Sequence, residues 1–184
     1  MESLIYAATE KFVVESFSSI GKQSQIPHFV RTVHWIQELR PNADEALLVA
    51  AVAHDIERAY RKRDVLEKKN STSFTSPDFY RPHEERGAEI VADFLRRNNV
   101  VEDFVERVRM LISRHEEGGN DDQNLLKDAD SISFFENNLS FFTDVNLSGS
   151  DAEKSKEKID WMFFRITSDR AREMALVFYK KTRT

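Results

Sequence analysis

Residues 42–63 read NADEALLVAAVAHDIERAYRKR. Asn42 is suited to cap a helix, and Glu45 stands three residues on, where a capping-box acid belongs. From Ala46 to Ala53 every residue is apolar, a pattern that predicts a helix wrapped by neighbours on all sides. It runs into His54-Asp55. An unpartnered carboxylate is costly to bury, and a metal ion is one common way to satisfy it. A helix continuing to Arg63 would set Arg58 and Arg61 on the face of His54, four and seven residues on.

Working outward, the chain reads as all-α. Glu2 to Ile20 has helical periodicity, and Gly21 to Gln25 links it to a second helix. Pro27 suits the first turn of that helix, which runs to about Arg40 before Pro41 stops it. Residues 64–82 include KKNSTSFTSPDFYRP, rich in Ser, Thr and Pro, and read as a long loop, either a lid or plain surface. Helices are expected over His83–Asn98, Val101–Glu117 (closed by Gly118-Gly119) and Asp121 to about Phe135. After a mixed connection from Asn137 to Ser150, two more cover Asp151–Ile166 and Ser168–Lys181. Neither period-two alternation nor a hairpin signal stands out. The expectation is a single helical-bundle domain over residues 1–184, with a motif-bearing core at 27–135 and C-terminal helices at 151–183.

Bulk properties narrow the function. The 184 residues are 40% hydrophobic and 32% charged, as in ordinary globular proteins. A net charge of −5 gives no electrostatic reason to expect nucleic acid or membrane as a partner. With no cysteine, disulfides, thiolate nucleophiles and zinc-thiolate sites are excluded. The amino terminus, MESLIYAATEKFVVES, lacks the basic start and apolar block of a signal peptide, and no apolar run approaches a membrane span. The expected location is the cytoplasm.

The five histidines carry the chemistry. His28 and His34 lie roughly 120° apart around their helix and should not serve one site. His28 shares a stripe with Thr32, Trp35 and Leu39 and looks inward; His34 shares one with Val30, Gln37 and Glu38 and looks solvated. His115 ends the core stripe Phe104, Val108, Leu111. His83 shares a side with Gly87, Ile90 and Phe94, and Gly87 would allow another backbone close. One inward histidine is ordinarily satisfied by a protein hydrogen bond, but four in one small domain call for more. In LLKDADSISFF, Asp130 aligns with Leu126, Ser133 and Phe134, and Asp128 with Leu125, Ile132 and Phe135. Periodicity does not choose between them.

HFVRTV (28–33), AVAHDIER (51–58), HEERGAEIVADFL (83–95), ISRHEE (112–117) and KDADSISFF (127–135), in that order, resemble the HD-domain superfamily of metal-dependent phosphohydrolases. The resemblance covers about Pro27 to Phe135. It implies a first metal on His28, His54, Asp55 and Asp130, and a second on His83 and His115 with Asp55 as the bridge. It prefers Asp130 to Asp128. Glu57 follows where the HD-GYP cyclic-dinucleotide branch has glycine, and no GYP follows His115, which sets that branch aside.

Imidazole and carboxylate ligands together suit Mn²⁺, Fe²⁺, Co²⁺, Ni²⁺ or Zn²⁺, one ion or two. Such an ion acidifies a water for attack on a small phosphorylated metabolite, with a nucleotide the expected substrate. Asp55, Arg58 and Arg31 are the expected catalytic residues, the arginines as phosphate donors within a turn of a ligand. The solvated reading fits Arg61 to Arg63 at least as well. Trp161, Phe163 and Phe164 read as core, and the Lys/Arg scatter from Lys154 to Arg183 as a solvated face. Two other readings remain: a di-iron oxygenase related to myo-inositol oxygenase, and a metal-containing binding module without turnover.

Overall fold

The structure, a computed structural model, describes residues 4–61, 75–142 and 150–180. Among these the regular elements are all helical: α1 (Leu4–Ser19), a 3₁₀ turn (Gln23–Gln25), α2 (Ile26–Leu39), α3 (Glu45–Ala53), the short α4 (Glu57–Tyr60), α5 (Pro77–Arg97), α6 (Glu102–Ile112), α7 (Asp121–Asn137), a second 3₁₀ turn (Leu139–Phe142), α8 (Ser150–Phe164) and α9 (Asp169–Tyr179). None is long and apolar enough to cross a membrane.

Helix α3 is the axis of the larger core. It packs against α1, α2, α6 and α7, and only Glu45 and Leu48 along it escape full burial. Its small residues, Ala50, Ala51 and Ala53, let those neighbours close on it, while Leu47, Val49 and Val52 fill the gaps. A second cluster joins Ile132, Phe134 and Phe135 of α7 to Met162, Phe163 and Ile166 at the end of α8 and to α9. Trp35 and Leu39 of α2 pack against both clusters.

Two local expectations give way at α3. Its N-cap is Asp44, whose side chain accepts the Leu47 amide, and not Asn42. Glu45 makes no capping box because its Oε1 accepts the Tyr6 amide of α1 instead. The helix also stops at Ala53 rather than reaching Arg63. The His54 ring takes the Ala51 carbonyl, and tighter bonds follow, from the Ile56 amide to Ala53 O and from Arg58 to Asp55 O.

The same device ends α6 at Ile112, ahead of the expected Glu117. His115 takes the Ile112 carbonyl, and the turn closes at Gly118, whose φ of +80° is one that glycine adopts without strain. Helix α5 begins at Pro77, so residues 77–82 of the expected loop are helical; the loop's stretch up to residue 74 lies outside the described residues. Pro77 fits the first turn, where its missing N–H costs nothing, and Pro82 gives up one bond near the helix start. Gly87 admits the close approach: a Cβ there would stand 3.4 Å from the His54 carbonyl oxygen.

Candidate metal centre

Three helices and two helix-ending turns bring His28 (α2), His54-Asp55 (after α3), His83 (α5), His115 (after α6) and Asp130 (α7) together, all of them buried. The imidazoles form one row. Ring centroids are 5.2 Å apart from His28 to His54, 5.1 Å from His54 to His115 and 5.3 Å from His115 to His83.

Every ring in the row has Nδ1 turned outward to an acceptor. His54 Nδ1 lies 2.8 Å from Ala51 O and His115 Nδ1 2.8 Å from Ile112 O. A carbonyl can only accept, so both nitrogens carry the proton. His28 Nδ1 is 2.9 Å from Ser133 Oγ, and that hydroxyl gives its own proton to His28 O, so it accepts from the ring. His83 Nδ1 donates to Glu57 Oε2 at 2.8 Å. The four Nε2 atoms therefore face inward, towards Asp55 and Asp130.

The two carboxylates divide the row. Asp130 Oδ1 is 3.1 Å from His28 Nε2 and 3.4 Å from His54 Nε2. Asp55 Oδ1 is 2.9 Å from His83 Nε2 and 3.9 Å from His115 Nε2, and its Oδ2 is 3.7 Å from His54 Nε2. His28, His54 and Asp55 present ligand atoms all within 4.8 Å of one another, and so do Asp55, His83 and His115.

Two observations test whether these donors fit a divalent cation. The Nε2 atoms of His54 and His115 are buried with no hydrogen-bond partner among the described residues, which leaves two ring nitrogens aimed into the cluster and unsatisfied by those residues. Charge is the second. Burial alone would lower the His54 pKa, yet Asp55 and Asp130 together lift it to about 9. A proton on His54 thus offsets carboxylate charge that a cation would offset in its place. Burial raises both acids, but Arg58, His54 and His83 hold Asp55, and Arg165 and His54 hold Asp130, well below the usual range. The donor set fits such an ion.

Other expected residues are placed less uniformly. Asp128 caps the turn before α9, accepting the Thr167 and Ser168 amides at 2.8 Å each, and so is structural. Arg58 Nε lies 2.9 Å from Asp55 Oδ1. Arg31 is committed to Glu136 of α7 at 2.8 Å and lies over Trp35, with no cluster residue among its partners. Arg61 pairs with Glu57. His34 is half-buried against Trp35.

The C-terminal helices correct the sequence reading most. Phe163 is core, but Phe164 is exposed, because consecutive residues point about 100° apart on α8. Lys158 and Arg165 are no solvated face: both side chains are buried. Arg165 grips Asp130 and Glu116 through its two Nη atoms and Ser131 Oγ through Nε. Glu57 was also missed. It holds His83 and is itself held by Arg61 and Arg86; against the effect of burial, the His83 bond first and then the two arginines keep its carboxyl far below the usual range. One signal was available, the repeated His-Glu-Glu at 83–85 and 115–117. Glu84 Oε1 accepts the Glu116 amide at 2.7 Å and so ties the two histidine segments together.

A family model described as a domain of unknown function, DUF4202, matches residues 15–183. The crystal structure of a predicted HD superfamily hydrolase from an uncultured Thermotogales bacterium superposes with a TM-score of 0.57. The identity is 21%, over 94% of this chain and 84% of that one. No curated protein matches. The chain belongs to the DUF4202 family, and its fold is that of the HD superfamily.

Proposed function

We propose that the protein is a metal-dependent phosphohydrolase acting on a small phosphorylated metabolite. In this reading His28, His54, Asp55 and Asp130 hold one divalent transition-metal ion, and Asp55, His83 and His115 hold a second. The observation that carries it is the common orientation of the four imidazoles, each donating Nδ1–H outward and presenting Nε2 to the carboxylates. A hydrogen-bonded core histidine has no need of that uniformity, whereas a metal ligand does, since the outer bond sets its tautomer and aim.

A bound divalent cation supplies a water acidic enough to attack near neutral pH and neutralises phosphoryl charge. The chain's own residues supply the rest. Asp55 reaches both halves of the row through its two oxygens. Arg58 sets Nε 2.9 Å from Asp55 Oδ1, and among the described residues its Nη atoms have no partner, which leaves them for a phosphoryl oxygen. Arg165 takes Asp130 Oδ2 and leaves Oδ1 to the histidines. Trp161 offers no argument for a base, because its ring already carries Lys158 and Arg165.

The test is phosphate release from a panel of nucleotides and sugar phosphates with Mn²⁺, Co²⁺, Ni²⁺ or Mg²⁺, beside Asp55→Ala. Turnover that vanishes in the variant supports the reading. A silent panel from folded, metal-loaded protein overturns it, and bound iron with a visible absorption band would then point to the oxygenase.

A further inference from the structure

Arg165 is the first residue after α8, and its side chain is 5% exposed. Its guanidinium reaches two segments that meet nowhere else in sequence. Nη2 donates to Asp130 Oδ2, Nη1 to Glu116 Oε2 and, at 3.3 Å, to the Glu116 carbonyl, and Nε to Ser131 Oγ at 2.9 Å. The Ser131 hydroxyl gives its own proton to Lys127 O, so towards Arg165 it can only accept. Trp161, one turn back, lies under the guanidinium at 4.6 Å and is itself stacked on Tyr80 of α5. All three nitrogens are engaged and the plane rests on a ring, so the group has one orientation.

That orientation separates the two oxygens of Asp130. Arg165 takes Oδ2, while Oδ1 faces His28 Nε2 at 3.1 Å and His54 Nε2 at 3.4 Å. A carboxylate held in this way can give a cation one oxygen but not two. Ca²⁺ takes about six to eight oxygen ligands, commonly with a carboxylate bound through both oxygens. Ni²⁺ is served by imidazole nitrogens and single oxygens. We propose that Arg165 is a positioning residue that sets the cation preference of the His28–His54 half: by closing Oδ2 it makes Asp130 a one-oxygen ligand and disfavours ions that need both. A counter-charge alone would not require this arrangement, because an ammonium neutralises as well but cannot span Asp130, Glu116 and Ser131 with a planar fork. The inference rests on the metal centre of the phosphohydrolase reading and is independent of the substrate.

The probes are Ni²⁺ and Ca²⁺ alone, titrated calorimetrically into the metal-free full-length chain and into Arg165→Lys, Arg165→Met and Ser131→Ala. The His83–His115 half has no share in Asp130 and is the internal reference. Ni²⁺ affinity at the first half should fall about tenfold in both Arg165 variants, as for loss of a partner behind a metal ligand. Ca²⁺ affinity should hold or rise, so the preference for Ni²⁺ falls about tenfold there and stays constant at the second half. Arg165→Lys should behave as Arg165→Met does, since it keeps the charge and loses the fork. Ser131→Ala removes only the acceptor of Nε and keeps the test open if the Arg165 variants do not fold; its preference should shift the same way, about threefold. An equal fall for both ions assigns Arg165 to packing and overturns the inference. A parent-like preference in Arg165→Lys reduces it to a counter-charge and does the same, as does an unshifted Ser131→Ala. The two readings fail separately. A shifted preference with a silent substrate panel leaves Arg165 in this role and sinks the hydrolase. Phosphate release by the parent with the preference unshifted in the variants does the reverse.

Discussion

His54 and His115 occupy matching places at opposite halves of the row. Each follows the end of a helix, each gives Nδ1–H to the carbonyl three residues back at 2.8 Å, and each has an unpartnered, buried Nε2. Their electrostatics nonetheless diverge. His54 lies between Asp55 and Asp130, which outweigh burial and lift its pKa to about 9. For His115 burial wins, with His54 and His83 adding to it, and the pKa drops to about 4 despite Glu116 and Asp55. Identical backbone devices thus produce one imidazole that answers surplus negative charge and one that stays neutral with its lone pair free. The first half of the row is organised by charge and the second by its outer hydrogen bonds.

Asp55 is the residue common to both halves, so its loss should have the largest effect. Asp55→Ala should lower metal content at both halves and cut turnover by roughly three orders of magnitude, measured by elemental analysis and phosphate release. Retention of one full equivalent of metal would show that the halves do not share it.

Glu57→Gln separates them. It weakens the acceptor behind His83 and leaves the His28–His54 side untouched. Metal affinity at the second half should fall about 10- to 100-fold, with the first half unchanged in the same titration. An equal loss at both would break the comparison.

Asp128→Ala sharpens it from outside. This acid sits two residues from Asp130 but caps the turn before α9. Stability should fall by about 1 kcal/mol, the loss of a charged cap on two part-buried amides, with metal content intact. A loss of metal would put Asp128 in the centre.

The smallest effect is a slope. Lys158 has its pKa pulled by burial down to about 8, with Glu116 and Asp130 opposing and Arg165 and Arg58 assisting. Glu116 and Asp130 are depressed and the two arginines raised, so none of the four titrates near pH 8. Above pH 8 the folded chain releases a proton that the unfolded chain keeps up to the ordinary lysine range near 10.5. Up to about pH 9 this gain is opposed by His54, which in the metal-free folded chain keeps a proton that the unfolded chain has already lost. The net rise in stability should therefore fall between about pH 9 and 10.5, and Lys158→Met should flatten it in chemical denaturation.

Much of the centre was legible because it is written locally. The unbroken apolar run at 46–53, the stripe leading to His115 and the placement of His28 on an inward face follow from periodicity, and the structure keeps all three. Gly87 announced the close approach to the turn after α3. Other features were not legible because they are competitions. Whether α3 runs past His54 depends on a side chain taking a carbonyl that the helix would otherwise use. Whether Glu45 caps depends on the Tyr6 amide. A lysine among acids reads as solvated until the fold decides what covers it, and Lys158 was misread for that reason.

Sequence by itself determined the helical architecture and five of the residues that converge, His28, His54, Asp55, His83 and His115, since spacing and polarity are properties of neighbours along the chain. Tertiary structure alone decided that Asp130 and not Asp128 faces the histidines, that every imidazole turns Nε2 inward, and that Arg165 and Lys158 are buried at the same end. Those outcomes depend on partners far apart in sequence, such as His28 and Ser133, separated by 105 positions. Their distance and angle exist only once the helices have packed.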